Sequence, residues 1–352
     1  MHIEKKGIGI NPSSLTHYID HLAVICIIMD IPLLFIDEED FILAKKYYPE
    51  LKAEWAAYEE LTPEYLIARY DVLYMSDLWD RHTFHEKYAP LEKQYKKQLR
   101  HVHCPHGFSD KAFYLRKCAN EDITLIYGQN MCDMLKKEGV FEQLNQYVIT
   151  GNYRYTYFKK HRSFFDKIVK DEILSKFEKQ QPLILYAPTW LDLEESTTFF
   201  DAASFLLDNL PDHYNMLVKL HPRLELDDVA LYYQILGKYE LKKNILFLKD
   251  FPLVFPILAY TDIYIGDTSS VGYDFLAFNK PMFFLNKQPQ NPTLFQCGTV
   301  ITPADYHNLY KIIASQLPQN QLSPIRSQLY EYTFGPEIPF EQIKQNIIQA
   351  CT

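Results

Sequence analysis

Short apolar runs alternate with amphipathic or polar segments along this chain, and this alternation is its main structural signal. The apolar runs are rich in β-branched and aromatic residues and are bounded by turn residues, which is typical of buried strands. The runs lie at residues 8–12, 32–36, 71–75, 123–127, 147–150, 183–186, 216–220, 245–248, 262–265 and 282–285, and a more polar strand is predicted at residues 100–105. Strands that alternate with helices predict an α/β fold with parallel, doubly wound sheets.

The rhythm of strands and helices is interrupted once, near residues 159–162, and restarts at residue 183 after a polar helix. A chain of 352 residues is long for a single core, so two domains are expected. We predict two Rossmann-like domains facing each other across a cleft, over residues 1–160 and 161–335. A last helix within residues 336–352 is predicted to pack back on the first domain.

The segment 264–274 reads as a buried strand, a tight turn and the start of a helix. Asp267, Thr268 and Ser269 are all residue types that cap a helix N-terminus. Hydroxyl groups and unbonded backbone N–H groups at such a terminus favour phosphate binding. From this segment alone, a cap that only closes the helix is an equally good interpretation.

Composition narrows the classes of function. The net charge of −9 argues against non-specific nucleic-acid binding, although a pocket for one nucleotide stays compatible with it. The six cysteines show neither paired nor zinc-type spacing, which favours reduced thiols and a cytoplasmic protein. The most apolar run, residues 22–36, is broken by Asp30 and Pro32 and is too short to span a bilayer.

Four polar clusters follow predicted strands, at residues 104–111, 186–190, 219–223 and 267–270. Ligands of open α/β sheets bind beyond the carboxyl ends of the strands. A histidine, a lysine and an arginine beside a phosphate would neutralise a diphosphate without a metal, and a histidine across the cleft would serve as a general base. Structural alternatives stay open, because His106 could cap a turn, His221 could lie in the core and Arg223 on the surface.

Two further interpretations concern the residues beside these clusters. His101, His103 and His106 invite a metal site, but His101 and His103 alternate along a predicted strand with no nearby carboxylate, so we predict none. Asp192 and Glu194 are predicted to be solvated.

The motifs resemble those of the CDP-glycerol glycerophosphotransferase family, the teichoic-acid-type polymerases and primases with a GT-B architecture. The resemblance is carried by residues 186–190, His221-Pro222-Arg223, and 267–270 followed by Asp274 and Lys280-Pro281. His106-Gly107 followed by Lys111 is similar to the family's acceptor-site loop. Residues 151–154 are similar to the segment that enters the second domain.

The resemblance implies a transferase that moves glycerophosphate, or a related polyol phosphate, from a CDP-alcohol donor to a hydroxyl of a glycan or lipid-linked acceptor. His106 would be the general base and His221 would assist the leaving nucleotide, with no metal and no cofactor. The remaining residues fall into three groups: Arg223, Thr268, Ser269 and Ser270 on the donor diphosphate; Pro188, Thr189, Trp190, Asp267 and Asp274 lining the nucleotide cleft; Gly107 and Lys111 on the acceptor side.

Two other functions stay open, a GT-B glycosyltransferase that uses a CDP- or UDP-activated sugar and a non-catalytic nucleotide-binding scaffold. The basic segments 93–100 and 159–162 are candidates for peripheral contact with a membrane, since acceptors of the family are lipid-linked. The expected location is therefore the cytoplasm, at the inner face of the membrane.

Overall fold

The chain is described by a computed structural model that covers residues 5–12, 16–77, 81–111, 115–192, 195–289, 291–318 and 321–352. The chain divides into two compact units. Unit 1 comprises Met1–His106, Ala112–Tyr157 and Tyr332–Thr352, and unit 2 comprises Gly107–Lys111 and Phe158–Glu331. The sequence placed residues 107–111 in the first domain, whereas the structure groups them with unit 2.

Unit 1 contains one sheet of seven parallel strands. The strands are β1 (Gly7–Asn11), β2 (Leu33–Phe35), β3 (Ala53–Trp55), β4 (Val72–Met75), β5 (Arg100–His103), β6 (Ile123–Ile126) and β7 (Tyr147–Ile149). Their spatial order is β3-β2-β1-β4-β5-β6-β7. The order reverses between β1 and β4, so the carboxyl ends of these two strands form the switch point where ligands of this topology bind.

The helices of unit 1 cover this sheet. They are α1 (Ile19–Met29), α2 (Glu38–Tyr47), α3 (Pro63–Arg69), α4 (Arg81–Tyr95), α5 (Gln129–Lys137) and, at the end of the chain, α15 (Phe340–Cys351). Helix α1 is almost entirely buried, and α15 packs against α1 and β7. Ile8, Leu34, Ile67 and Leu73 are part of one core cluster of this unit.

Unit 2 contains six parallel strands, again followed by helices in alternation. They are β8 (Leu183–Ala187), β9 (Asn215–Lys219), β10 (Ile245–Leu248), β11 (Ile263–Gly266), β12 (Met282–Leu285) and β13 (Thr299–Ile301), in the spatial order β10-β9-β8-β11-β12-β13. The switch point of this unit therefore lies between β8 and β11.

The remaining helices are α6 (Tyr153–Lys160), α7 (Arg162–Glu172), α8 (Phe199–Asp208), α9 (Leu224–Asp227), α10 (Val229–Tyr239), α11 (Phe255–Tyr260), α12 (Ser270–Phe275), α13 (Leu309–Gln316) and α14 (Ser323–Phe334). Helices α6 and α14 run across the divisions between the units. The core of unit 2 includes Tyr186, Phe199, Val218, Ile265 and Phe283.

The predicted α/β class is confirmed, because the paired strands of both sheets are parallel and both sheets show the doubly wound order. Two strands were missed. Strand β3 has only three residues and is largely exposed, and β13 is equally short, so neither gives a clear apolar run. Within the described residues, no helix has the length and apolar character needed to cross a membrane.

Candidate active site

Three loops converge at the switch point of unit 2, because β8 lies between β9 and β11 and all three strands run in parallel. The loop after β8 carries Pro188, Thr189 and Trp190. The loop after β9 carries His221 and Arg223, and the turn after β11 carries Asp267–Ser270. Three of the four polar clusters identified in the sequence therefore lie along one edge of one sheet.

The turn after β11 presents a run of hydroxyl groups. Thr268, Ser269 and Ser270 are each half-buried, so their side chains are not enclosed in the core. Ser269 is the N-cap of α12, and its Oγ accepts a hydrogen bond from the Val271 backbone N–H at 3.4 Å. Helix α12 has only six residues. An anion at this turn would therefore depend on local hydroxyl and amide donors more than on a long helix dipole.

Asp267 is completely buried and connects loop segments of the site through hydrogen bonds. Its Oδ2 accepts hydrogen bonds from the backbone N–H groups of Thr189 (3.1 Å) and Thr198 (3.2 Å), and its Oδ1 accepts one from the Thr198 hydroxyl. Burial raises the pKa of this carboxyl to about 6, against the opposing effect of these hydrogen bonds. The prediction that Asp267 lines a cleft is therefore corrected, since its carboxylate joins three loop segments inside the unit.

Two other motif residues are also structural. Asp274, predicted to line the cleft, is buried within α12. Lys280 donates hydrogen bonds from Nζ to the carbonyl oxygens of Ala259 (3.2 Å) and Thr261 (2.6 Å), at the end of α11. These carbonyls have no partner within the helix, so Lys280 caps α11.

His221, Arg223 and Trp190 form one cluster. The His221 Nδ1 accepts a hydrogen bond from the Arg223 backbone N–H at 3.2 Å, so the ring proton of the neutral tautomer lies on Nε2. The Arg223 guanidinium carbon lies 4.0 Å from the centre of the Trp190 ring, and the Trp190 and His221 ring centres are 6.1 Å apart. The exposed guanidinium is thus held over an aromatic face, which orients its N–H donors.

Lys111 lies in this unit and not on the acceptor side, where the sequence had placed it. It is 8% exposed, forms an ion pair with Asp192, and donates a hydrogen bond to the Thr189 hydroxyl at 3.2 Å. Asp192, predicted to be solvated, is buried and also accepts hydrogen bonds from the Ser196 backbone and hydroxyl. Burial opposes its ionisation, but Lys111 and Ser196 hold the pKa of Asp192 below its usual value. Glu194 lies outside the described residues.

The segment Gly107–Lys111, which we call the strap, is fixed to unit 2 at a second point. The Asp110 carboxylate accepts hydrogen bonds from the Tyr273 hydroxyl (2.9 Å) and the Thr293 backbone N–H (3.1 Å). Phe108 packs edge-to-face on Tyr273, with ring centres 4.7 Å apart. Gly107 has φ +116°, a backbone conformation that side chains with a Cβ rarely adopt, which accounts for glycine directly after His106.

The fourth cluster lies at the switch point of unit 1, where His106 follows β5. Its ring Nδ1 lies 3.3 Å from the carbonyl oxygen of Ser76, the first residue after β4. A carbonyl only accepts, so Nδ1 carries the proton and Nε2 holds the lone pair. The Tyr18 ring packs beside the imidazole at 4.9 Å between centres, and the Tyr18 hydroxyl donates to Asp77 Oδ1 at 2.7 Å.

The histidines around this position are held in their neutral form. Burial lowers the pKa of His106, partly offset by the Ser76 carbonyl and by Asp77. Burial also lowers the pKa of His103 to about 3 and that of His21 well below its usual value. In the part of the chain that the structure describes, no three His, Cys, Asp or Glu side chains are grouped so as to hold a metal ion.

Tyr18, Asp77, Asp110 and Asp192 were not selected from the sequence. Tyr18 lies at the start of a predicted helix among mixed polar and apolar residues, and Asp77 follows a strand without forming a motif. Asp192 lies beside Trp190 and Leu191 in an otherwise apolar stretch, and this is a weak signal of a buried carboxylate.

The segment 151–154, similar to the segment that enters the second domain, is part of unit 1 and lies shortly before the division of the chain after Tyr157. There the buried Arg154 pairs with Asp20 of α1 at 2.7 Å. The basic segment 93–100 does not form one continuous helix, because α4 ends at Tyr95, and Lys97 forms an ion pair with Asp71.

The sequence model of the family described as CDP-Glycerol:Poly(glycerophosphate) glycerophosphotransferase matches residues 98–290 of this chain. The chain belongs to this family. The matched residues include His106, the strap and all three loops of the unit 2 switch point, which is the set of elements described above.

Among curated proteins, this member of the glycerophosphotransferase family is similar to the teichoic acid glycerol-phosphate primase of Bacillus subtilis (strain 168), with 30% identity over 109 residues. That similarity covers 30% of this chain and 26% of the primase.

Solved structures establish the fold. The wall teichoic acid polymerase TagF has a TM-score of 0.64 at 14% identity, over 99% of this chain and 89% of that one. MnaA of S. aureus, solved with UDP, has a TM-score of 0.61 at 13% identity, over 98% and 95% of the two chains. HepE of Anabaena, solved with UDP and glucose, has a TM-score of 0.56 at 13% identity, over 98% of both. The α/β fold of this glycerophosphotransferase family member is therefore of the GT-B type, as the sequence predicted.

Proposed function

We propose that this protein transfers glycerophosphate from CDP-glycerol to a hydroxyl group of a glycan or lipid-linked acceptor. The observation that carries the proposal is the convergence of His221, Arg223 and the hydroxyl turn at the switch point of unit 2, within the residues that define the family match. The similarity to the B. subtilis teichoic acid glycerol-phosphate primase supports glycerol phosphate as the transferred group.

In this proposal the donor binds at the unit 2 switch point. The Nε2–H of His221 and the guanidinium of Arg223 donate to the diphosphate, and Thr268, Ser269 and Ser270 donate from the opposite loop. Charged donors that are already oriented stabilise the negative charge that develops on the leaving CMP. Trp190 lines the nucleotide side, with its face occupied by Arg223. Pro188 and Thr189, also predicted to line the cleft, are buried and support this loop from inside the unit.

His106 acts as the general base in this proposal. Its Nε2 lone pair accepts the proton of the acceptor hydroxyl as the oxygen attacks the phosphorus that carries glycerol. The P–O bond to CMP breaks, and the proton remains on the imidazole. A positioned general base accelerates such a step by about 10²–10⁴-fold. The reaction needs no metal in this scheme, because protein donors neutralise the diphosphate.

Donor binding and transfer are tested separately. Isothermal titration with CDP-glycerol, CMP and UDP-sugars measures the donor preference, and conversion of CDP-glycerol to CMP in the presence of acceptor measures transfer. We expect CDP-glycerol and CMP to bind, and UDP-sugars to bind at least tenfold more weakly, corresponding to about 1.4 kcal/mol. Preference for a UDP-sugar would instead identify a glycosyltransferase, and no binding at all would identify a scaffold.

The assignment of the base is tested with His106→Ala, which should keep the donor affinity and lose about 10²-fold or more in kcat. His221→Ala should weaken both CMP binding and transfer. EDTA treatment should leave transfer unchanged, whereas restoration of activity by Mg²⁺ alone would contradict the metal-independent scheme.

Peripheral contact with the inner face of a cytoplasmic membrane stays a prediction that follows from a lipid-linked acceptor. The structure leaves less basic charge available for contact with a membrane, because Lys97 and Arg162 form ion pairs with Asp71 and Asp166. Flotation with anionic vesicles tests the prediction. If all of the protein stays in the bottom fractions of the gradient at low salt and none floats with the vesicles, the prediction is contradicted.

A further inference from the structure

We propose that Tyr18 and Asp77 are positioning residues that orient His106 and stabilise its protonated ring. The inference rests on the proposed function for the role of His106 as a base. It concerns side chains of unit 1 that neither the family match nor the sequence motifs assign, since both residues lie before residue 98.

The three loops that supply this group follow neighbouring strands of unit 1. Tyr18 lies between β1 and α1, Asp77 lies two residues after β4, and His106 lies three residues after β5. In the sheet, β4 is paired with both β1 and β5, and Met75 is in register with His103. Parallel strands bring these three loops to the same edge, so the grouping is a consequence of the topology.

The contacts form a chain from Tyr18 to the imidazole. The Tyr18 hydroxyl donates to Asp77 at 2.7 Å, which holds that carboxylate in place. The Tyr18 ring lies 4.9 Å from the His106 ring at an angle of 38°, which limits rotation of the imidazole. Ser76, the neighbour of Asp77, accepts the Nδ1–H and so fixes the tautomer with a basic Nε2.

The negative charge of Asp77 matters when His106 takes up a proton. A buried imidazolium is unfavourable unless a carboxylate or an acceptor lies near it. His17, His21 and His103 also face this ring, and a positive charge on any of them would oppose its protonation. Burial favours the neutral form of His21 and His103, whereas the Ser76 carbonyl and the Asp77 carboxylate favour the proton on His106.

The test uses Asp77→Asn, which keeps an oxygen to accept the Tyr18 hydroxyl but removes the charge. We expect kcat to fall by about tenfold or more and the acid limb of the pH–rate profile to move to lower pH, because loss of a nearby negative charge lowers the pKa of His106. The donor affinity should be unchanged, which a general loss of structure would not allow.

Tyr18→Phe is the second variant, since it keeps the ring contact and removes only the hydroxyl. It should lower kcat while shifting the acid limb less than Asp77→Asn, because the carboxylate charge remains. Asp30→Asn and Tyr58→Phe are the matched controls, as both residues are exposed in unit 1, and both should behave as wild type.

A readout independent of transfer separates this inference from the proposed function. The titration of the His106 ring, followed by NMR and assigned with His106→Gln, should show Nδ1 protonation and a lower pKa in Asp77→Asn. An unchanged titration in a folded Asp77→Asn protein would overturn the inference. Absence of transfer by the wild-type protein, with the NMR shift present, would overturn the proposed function alone.

Discussion

At the scale of single residues, Asp267 shows how a motif residue can be essential to a site without touching a ligand. The residue types at 267, 268 and 269 all suit a helix N-cap, and the structure selects Ser269. Asp267 is turned inward because two backbone N–H groups and the Thr198 hydroxyl need an acceptor there. Since these partners lie 69 to 78 residues away in the chain, no local pattern could reveal them.

The raised pKa of Asp267 predicts a specific dependence of stability on pH. Its pKa of about 6 in the folded state lies above the value of 3.8 for an exposed aspartate. The folded state therefore binds the proton more tightly, and stability is lost as pH rises from about 4 to about 6. Asp267→Asn stays neutral throughout, so its stability relative to wild type should rise across this window, by roughly 3 kcal/mol at most.

Urea denaturation at pH 4.5 and pH 7 measures this difference, with Asp267→Ala as the comparison. The alanine leaves the Thr189 and Thr198 N–H groups without an acceptor, which should cost about 1–3 kcal/mol for each group at both pH values. If the difference between Asp267→Asn and wild type is the same at both pH values, the carboxyl does not titrate in this range.

At the scale of elements, the strands were predictable and the strap was not. Within the described residues, the sequence predicted eleven of the thirteen strands, most of them from apolar runs that are typical of strands buried on both faces. The grouping of residues 107–111 with unit 2 depends on Lys111, Asp110 and Phe108 meeting partners that are distant in sequence. Charged residues are most often solvated, so the sequence favoured the wrong environment for Asp192.

The buried ion pair between Lys111 and Asp192 is predicted to stabilise the strap. Lys111→Met removes the cation and leaves the Asp192 carboxylate buried without its ionic partner, so unit 2 should lose about 3–5 kcal/mol of stability. The double variant Lys111→Met with Asp192→Leu should lose less than the two single changes together. Denaturation of the four proteins gives this coupling energy directly.

An exposed pair in the same unit serves as the control. Lys238 pairs with Asp208, with the side chains about half exposed, and Lys238→Met should destabilise the protein much less than Lys111→Met does. Equal losses for Lys111→Met and Lys238→Met would mean that the strap is not fixed by its ion pair.

At the scale of the whole molecule, unit 1 is built from the first part of the chain together with its last segment. Tyr332–Thr352 groups with unit 1, where Tyr332 donates to Asp133 at 2.8 Å and Asn130 donates to Thr333 at 2.9 Å. Helix α15 then packs on α1 and β7. The sequence analysis placed this helix on the first domain, and α1 and β7, which it contacts, belong to unit 1.

Helix α15 allows the independence of the two units to be measured. Ile347 is fully buried in this helix, whereas its neighbour Ile348 is 45% exposed. Ile347→Ala should cost about 2–5 kcal/mol through a cavity, and Ile348→Ala less than about 1 kcal/mol. Because the core clusters of the units are formed by different residues, only unit 1 should lose protection in hydrogen exchange. Peptides from β1 and β4 should then exchange faster in Ile347→Ala while peptides from β8 and β11 keep the wild-type rate. Equal loss of protection in both sets would mean that the units unfold as one cooperative block, and the last helix would then stabilise unit 2 as well.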